Sequence, residues 1–402
     1  MKIKLSLLLV LALAGCNPAP QDQAKDQPVS PSETKEFPIG GYSGDPERDK
    51  AAGFTLVGPV YGKQREGILE AAEKVGLPCV YTVGIELDFL GRHGEPPTEL
   101  DREAIRAEIR HQVEAVMDSP SVAIWYLIPE ELRNWRPLEM EYLQLASETI
   151  QEVDPKKRPV WMYEPGHRTQ GALEKTFPYQ QLAGKGVYTN YSNRKTERAW
   201  VTWTLQQQAG AIAAVNPTAI PYGILEMYKK KDDVLPVEQI PVWVRHDAYA
   251  SLVAGVRGMI VYSFARRRGF FDENTPEWNA YYNAWSDVAK ELNGPLQLGS
   301  VVLAGAPVPS PEFEITAGPT EVTFSISKSG GKEPINVPSH SSAAYSWSNK
   351  TYWFLVNSSN EPLTIKIKEN ENWTPLLEGQ PAVNGKELTL PPLAAAVFQA
   401  EI

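Results

Sequence analysis

Cysteine is almost missing: Cys16 and Cys79 are the only two in 402 residues, which leaves no disulfide framework and no thiolate zinc cluster. The five histidines form neither an HExxH nor a His-x-His spacing, so no metal site is expected. Phosphate-cradling glycine loops and a Gly-x-Ser-x-Gly elbow are missing too, which removes nucleotide-dependent and serine-hydrolase readings; no cofactor is expected. The apolar run at residues 5–14, interrupted only by Ser6, is too short to span a membrane. Positive charge is outnumbered, and the net charge of -10 argues against nucleic acid as a generic partner.

What is present at the N-terminus is a pair of lysines, Lys2 and Lys4, then that apolar run, then Gly15-Cys16. This order reads as a secretory signal over residues 1–15. Leu13-Ala14-Gly15-Cys16 resembles the bacterial lipobox, in which the cysteine becomes the lipidated first residue; an ordinary cleaved signal is the alternative. By that resemblance Asn17, standing where Asp would retain the protein at the inner membrane, favours the outer membrane, with the protein on its periplasmic or surface face. Residues 16–36 hold almost nothing apolar and read as a disordered tether, because they cannot offset the entropy of ordering.

From residue 37 to 294, apolar runs alternate with helical periodicity. Strands are expected at 37–44, 54–61, 78–86, 122–130, 159–164, 186–191, 220–227 and 258–264, with helices such as 63–75, 101–117, 138–153, 196–213, 238–253 and 277–292 between them. Eight such units predict an α/β fold, a parallel (β/α)8 TIM barrel. Beyond Gly294-Pro295 the helical period disappears. Short runs at 301–303, 322–326, 344–347, 352–356, 363–367 and 394–399 predict an antiparallel β-sandwich over 295–402. The chain is expected to be a monomer.

In such a barrel the strand C-termini form the active face. Acids, aromatics and hydrogen-bonding groups gather there: Glu86 and Asp88 at the end of strand three, Glu130 and Glu131 at that of four, Tyr163, Glu164, His167 and Arg168 at that of five, Tyr188 and Asn190 at that of six, Glu226 and Tyr228 at that of seven, and Tyr262 at that of eight. Rings that stack on pyranose faces beside groups that bind hydroxyls make a sugar pocket. Trp125-Tyr126-Leu127-Ile128-Pro129-Glu130-Glu131-Leu132 resembles the strand-four signature of uncharacterised barrel proteins related to the glycoside hydrolases, over roughly residues 37–293. More loosely it resembles the strand-four Asn-Glu-Pro of the large retaining clan, from which it departs because no Asn precedes the glutamate. The resemblance implies an acid on strand four and its partner on strand seven, the two carboxyls a glycosidic bond needs.

Glu131 is expected as general acid/base, with Glu130 as the alternative, and Glu226 as nucleophile. The competing reading of Glu226 is a structural ion pair with Arg245 or Arg266. Trp125 and the other strand-end residues named above are expected to bind substrate. The leading expectation is a lipid-anchored glycoside hydrolase acting on a poly- or oligosaccharide, probed against a non-catalytic carbohydrate-binding or matrix-associated barrel. A polysaccharide lyase or exopolysaccharide-secretion accessory ranks below both.

Overall fold

The computed structural model describes residues 34–402 other than 93, 266–269, 271–274, 329–330 and 369–371; Cys16, most of the expected tether and Arg266 lie outside the described residues. Among these residues β1 (Ile39–Gly41), β2 (Leu56–Val60), β3 (Cys79–Gly84), β4 (Val122–Ile128), β5 (Val160–Trp161), β6 (Leu182–Val187), β7 (Ile220–Glu226) and β8 (Met259–Tyr262) form one parallel sheet in the order β5-β4-β3-β2-β1-β8-β7-β6. Outside it lie α1 (Pro46–Ala51), α2 (Arg65–Val75), α3 (Arg102–Glu114), α4 (Pro137–Val153), α5 (Gln170–Leu173), α6 (Trp200–Val215), α7 (Ile240–Val253) and α8 (Pro276–Asn293). The seam between β5 and β6 is spanned by a bridge between Glu164 and Lys185 and by the bonds Glu164 N to Gly184 O, 3.2 Å, and Gly186 N to Glu164 O, 2.8 Å. The (β/α)8 barrel expected from the alternation is thus present.

Strand parity sets what fills it. Ile124 and Tyr126 of β4 join Tyr42, Leu56, Val80, Trp161, Tyr163, Tyr222, Ile224 and Ile260 inside, while Trp125 and Leu127 face α3 and α4. Two glycines of β6 permit the large interior rings of β5: a Cβ on Gly184 would sit 2.1 Å from Trp161 Nε1, and one on Gly186 would sit 2.3 Å from Tyr163 Oη.

Two expectations fail locally. Strand six occupies Leu182–Val187, not 186–191, because Lys185 breaks the apolar run in sequence yet is wholly buried in the fold. The expected strand 301–303 lies within α9 (Leu298–Ala304), whose Leu298, Val301 and Val302 join the core beneath α8; a short apolar run fits either element.

The C-terminal region is antiparallel as expected. A five-stranded sheet runs in the order Thr374–Pro375, Ala395–Glu401, Lys350–Asn357, His340–Trp347, Ala306–Val308, facing a three-stranded sheet of Phe313–Ala317, Leu363–Ile367 and Glu387–Leu390, with a hairpin of Glu321–Lys328 and Gly331–Pro338 beside them. Trp353 and Leu355 face the sandwich interior with Ile365, Leu388 and Phe398, while Tyr352, Phe354 and Val356 join the barrel-side core with Tyr249 of α7.

Lys185 carries a testable consequence. Its Nζ donates to Thr204 O at 2.8 Å, and burial lowers its pKa from 10.5 to about 7, Glu164 opposing and Arg168 reinforcing the shift. Between pH 7 and about 10 the unfolded chain therefore holds a proton that the folded chain has lost, and stability rises with pH. Lys185→Met is expected to flatten that arm in chemical unfolding across pH 7–10; an unchanged slope would show that Lys185 stays charged in the fold.

Candidate active site at the strand C-termini

β4 ends at Ile128, and the turn after it places both acids at the surface of the barrel mouth. Glu131 has φ 60°, a left-handed conformation that costs a non-glycine residue about 1 kcal/mol or more. The turn is held from β5. Arg168 Nη2 donates to Glu131 O at 2.9 Å and Leu132 O at 2.6 Å, and Glu131 N donates to Tyr163 O at 3.3 Å. Arg168 is itself ion-paired with Glu164, which also accepts from Gln180 Nε2 at 3.2 Å. Both partners are buried. Glu164 and Arg168 therefore act on the protein, shaping the turn that carries Glu130 and Glu131, and neither is free to bind a ligand.

Glu130 accepts hydrogen bonds from Tyr126 Oη and, at 3.4 Å, from Tyr61 Oη. Partial burial and the neighbouring Glu130 raise the pKa of Glu131, with Arg168 opposing. Around Glu130 runs an arc of tyrosines, each ring against the next: Tyr126 to Tyr61 at 5.8 Å, Tyr61 to Tyr42 at 5.8 Å, Tyr42 to Tyr262 at 5.0 Å, Tyr262 to Tyr188 at 5.8 Å and Tyr188 to Tyr163 at 5.7 Å. Tyr191, 6.2 Å from Tyr188, extends it outward, and Tyr228 follows 5.3 Å from Tyr191. Tyr163, Tyr188, Tyr228 and Tyr262 are thus brought together as the sequence suggested. Tyr42, Tyr61, Tyr126 and the exposed Tyr191 were missed. Tyr42 and Tyr61 follow strands one and two as Tyr188 and Tyr262 follow later ones, so the same signal was available for them.

Glu226 is placed differently. It is only 5% exposed at the end of β7 and accepts from Asn190 N, from Tyr191 N at 3.1 Å and from Thr189 Oγ1 at 2.9 Å. It lines a small cavity with Arg198, Trp243, Val244, Asp247, Tyr281 and Trp285, on the α6–α8 side. Arg198 is ion-paired with Asp247 and donates to Thr189 Oγ1 at 3.0 Å and to Asn190 Oδ1 at 3.1 Å, and Asn190 Nδ2 donates to Tyr281 Oη at 2.6 Å. Asn190 is thus committed to the protein. Burial lifts Glu226 to about 7, against the Asn190 and Tyr191 amides, Arg198 and Thr189, which lower it. Arg245, within α7, pairs with Glu291 and not with Glu226.

The remaining candidates scatter. Trp125 does not reach the mouth: it is fully buried outside the sheet, donates to Asp154 at 2.8 Å and lies under the Arg158 guanidinium. Asp88 caps its own loop by accepting from Arg92 N at 2.9 Å, and Glu86 is exposed. His167 is solvent-accessible, and its pKa is lowered by what burial it has, then by Arg168 and Lys185. Among the described residues no group of His, Cys, Asp and Glu is placed to hold a metal ion, and no helix is long and apolar enough to cross a membrane.

No protein-family model matches the chain, and no curated protein matches it significantly in sequence. Solved structures do match. A catalytic mutant of Gan42B, a GH42 β-galactosidase from G. stearothermophilus, superposes with a TM-score of 0.56 at 8% identity, covering 91% of this chain and 98% of that one. Amy13B of Eubacterium rectale gives 0.54 at 8% identity, covering 91% and 94%, and the α-amylase of Geobacillus thermoleovorans, complexed with acarbose, gives 0.51 at 9%, covering 91% and 98%. The chain shares the overall fold of these three structures.

Glu226→Gln replaces one acceptor oxygen by an NH2 group, so a loop donor loses its partner at a cost of about 1–3 kcal/mol. A lowered melting temperature is expected at pH 4, where the buried acid and its amide replacement are both neutral. Because the folded pKa is raised from 4.5 to about 7, Glu226 contributes stability that is full below pH 4.5 and lost as pH rises to 7. The variant should lack that decline; a slope equal to that of the wild type would show that Glu226 titrates normally.

Proposed function

We propose that the tyrosine-lined mouth binds and hydrolyses a poly- or oligosaccharide, with the β4 carboxyls and Glu226 as its acid–base machinery. Glu130, at the strand-four end and hydrogen-bonded by the Tyr126 and Tyr61 hydroxyls, is the observation that carries this reading. It supplies a carboxyl where stacking surfaces and hydroxyl partners converge. Glu131, with its pKa raised, suits proton donation to a leaving oxygen. In a retaining mechanism Glu226 would attack the anomeric carbon, which requires the loop at 189–191 to release one of its oxygens. Residues 37–294 would form the catalytic part and 295–402 the supporting sandwich.

One observation favours the second reading, a carbohydrate-binding barrel without turnover: both oxygens of Glu226 are already satisfied. Hydrolysis of a panel of bacterial, algal and plant polysaccharides by the form lacking residues 1–36 separates the two, beside Glu130→Gln, Glu131→Gln and Glu226→Gln. Loss of product by at least a hundredfold in Glu226→Gln and in one β4 variant is expected. Retained activity in all three would remove this site, and glycan binding without product would establish the second reading. We further propose that lipid on Cys16 tethers the protein, as a monomer, to the outer membrane. Cys16→Ser is expected to move it from the membrane pellet to the soluble fraction, and a pelleted variant would refute the anchor.

A further inference from the structure

The loop after β6, residues 188–199, presents Tyr188 and Tyr191 to the mouth and supplies, among the described residues, the hydrogen bonds that Glu226 receives. Residues 191–193 are exposed, and a surface loop with so few apolar anchors opens easily when left to itself. It is not left to itself. Arg194 Nη2 donates to Ser325 O at 2.7 Å while its guanidinium lies 5.5 Å from the Phe324 ring, and Asn360 Nδ2 donates to Thr196 O at 2.7 Å. Ser325 and Phe324 belong to the C-terminal hairpin and Asn360 to the turn after Lys350–Asn357.

A third connection arrives through α7. Ser358 Oγ lies 2.9 Å from His246 Nε2, and His246 Nδ1 lies 2.8 Å from Asp247 Oδ1. Asp247 pairs with Arg198, which holds Thr189 and Asn190. The turn that makes these contacts is itself fixed by the buried Asn357. Its Oδ1 accepts from Ser359 N at 3.0 Å and Ser359 Oγ at 2.8 Å, and its Nδ2 donates to Glu361 O at 2.9 Å and Pro391 O at 2.8 Å.

We infer that the β-sandwich is a clamp on the β6 loop, so that Asn360, Ser358 and Arg194 are positioning residues for Glu226 and for the tyrosine end of the mouth. Two of the three contacts hold the loop directly, and the third fixes the ion pair behind it. That the clamp serves a glycan site rests on the function proposed above; that it orders the loop does not.

The two parts are tested separately. Amide hydrogen exchange of the full chain is followed at Asn190 and Tyr191, with Val83 and Leu127 as references in β3 and β4. In Asn360→Ala, a change at an exposed side chain, exchange at 190 and 191 should quicken about threefold or more. With Ser358→Ala added it should quicken at least tenfold, the references staying unchanged. Exchange at 190 and 191 unaltered in Asn360→Ala, or quickened no more than at the references, overturns the clamp. On a polysaccharide that the wild type hydrolyses, the same variants should raise KM severalfold with a smaller change in kcat. A quickened loop with KM and kcat both unmoved overturns the positioning role. If the wild type takes no glycan, the proposed function fails and the exchange result still decides the clamp.

Discussion

The structure depends on one strand that is buried on both faces. In Lys350–Asn357, Trp353 and Leu355 point into the sandwich while Tyr352, Phe354 and Val356 point at the barrel helices, and all five are buried. Each such side chain contributes about 1.5–3 kcal/mol when fully removed from water. The barrel side of this strand merges into the same apolar cluster as Tyr249, Leu252, Trp285 and Val288 of α7 and α8. An interface that is continuous with a barrel's own core is unlike the polar, hinge-permitting contact between ordinary domains. The sandwich is therefore fixed against the flank where β6, β7 and β8 end, and polar contacts at its margin hold a constant geometry.

Much of this was legible in the sequence because strand and helix periods differ. β4 and β7 fall within two residues of expectation, as do the starts and ends of α4 and α8. The failures have physical causes. Lys185 reads as a surface residue, and only the tertiary fold supplies the Thr204 carbonyl that lets it be buried. The doubly buried strand announced itself as a continuous apolar run, but nothing in the run says which partner covers each face.

The candidate site was legible in position and less so in role. Strand-end location gathered Glu130, Glu131, Tyr163, Tyr188, Tyr228 and Tyr262 as candidates, and the structure sets them at the strand C-termini. It could not assign direction, since parallel strands are apolar on both sides and parity alone sends Tyr126 inward and Trp125 outward. Nor could it separate a carboxylate that meets a ligand from one that meets the protein. Glu164, Arg168 and Asn190 have the residue types of a sugar pocket, yet each is consumed in holding a turn or a loop. A buried polar group must find partners, and here those partners are the segments that shape the mouth.

That distinction bears hardest on Glu226. A nucleophile gains from amide donors that fix it in place, because orientation is set before the reaction begins. It loses if those donors occupy the lone pair that must attack. With Asn190 N and Thr189 on one oxygen and Tyr191 N on the other, the balance turns on Tyr191. Among the three donor residues it alone is exposed, and its ring meets the outer end of the tyrosine arc edge to face. On the function proposed above, a sugar stacking on Tyr191 would pull on the one amide whose release frees an oxygen of Glu226. Substrate binding and nucleophile release would then be the same movement, against the resistance of a loop pinned at Arg194, Thr196 and Arg198.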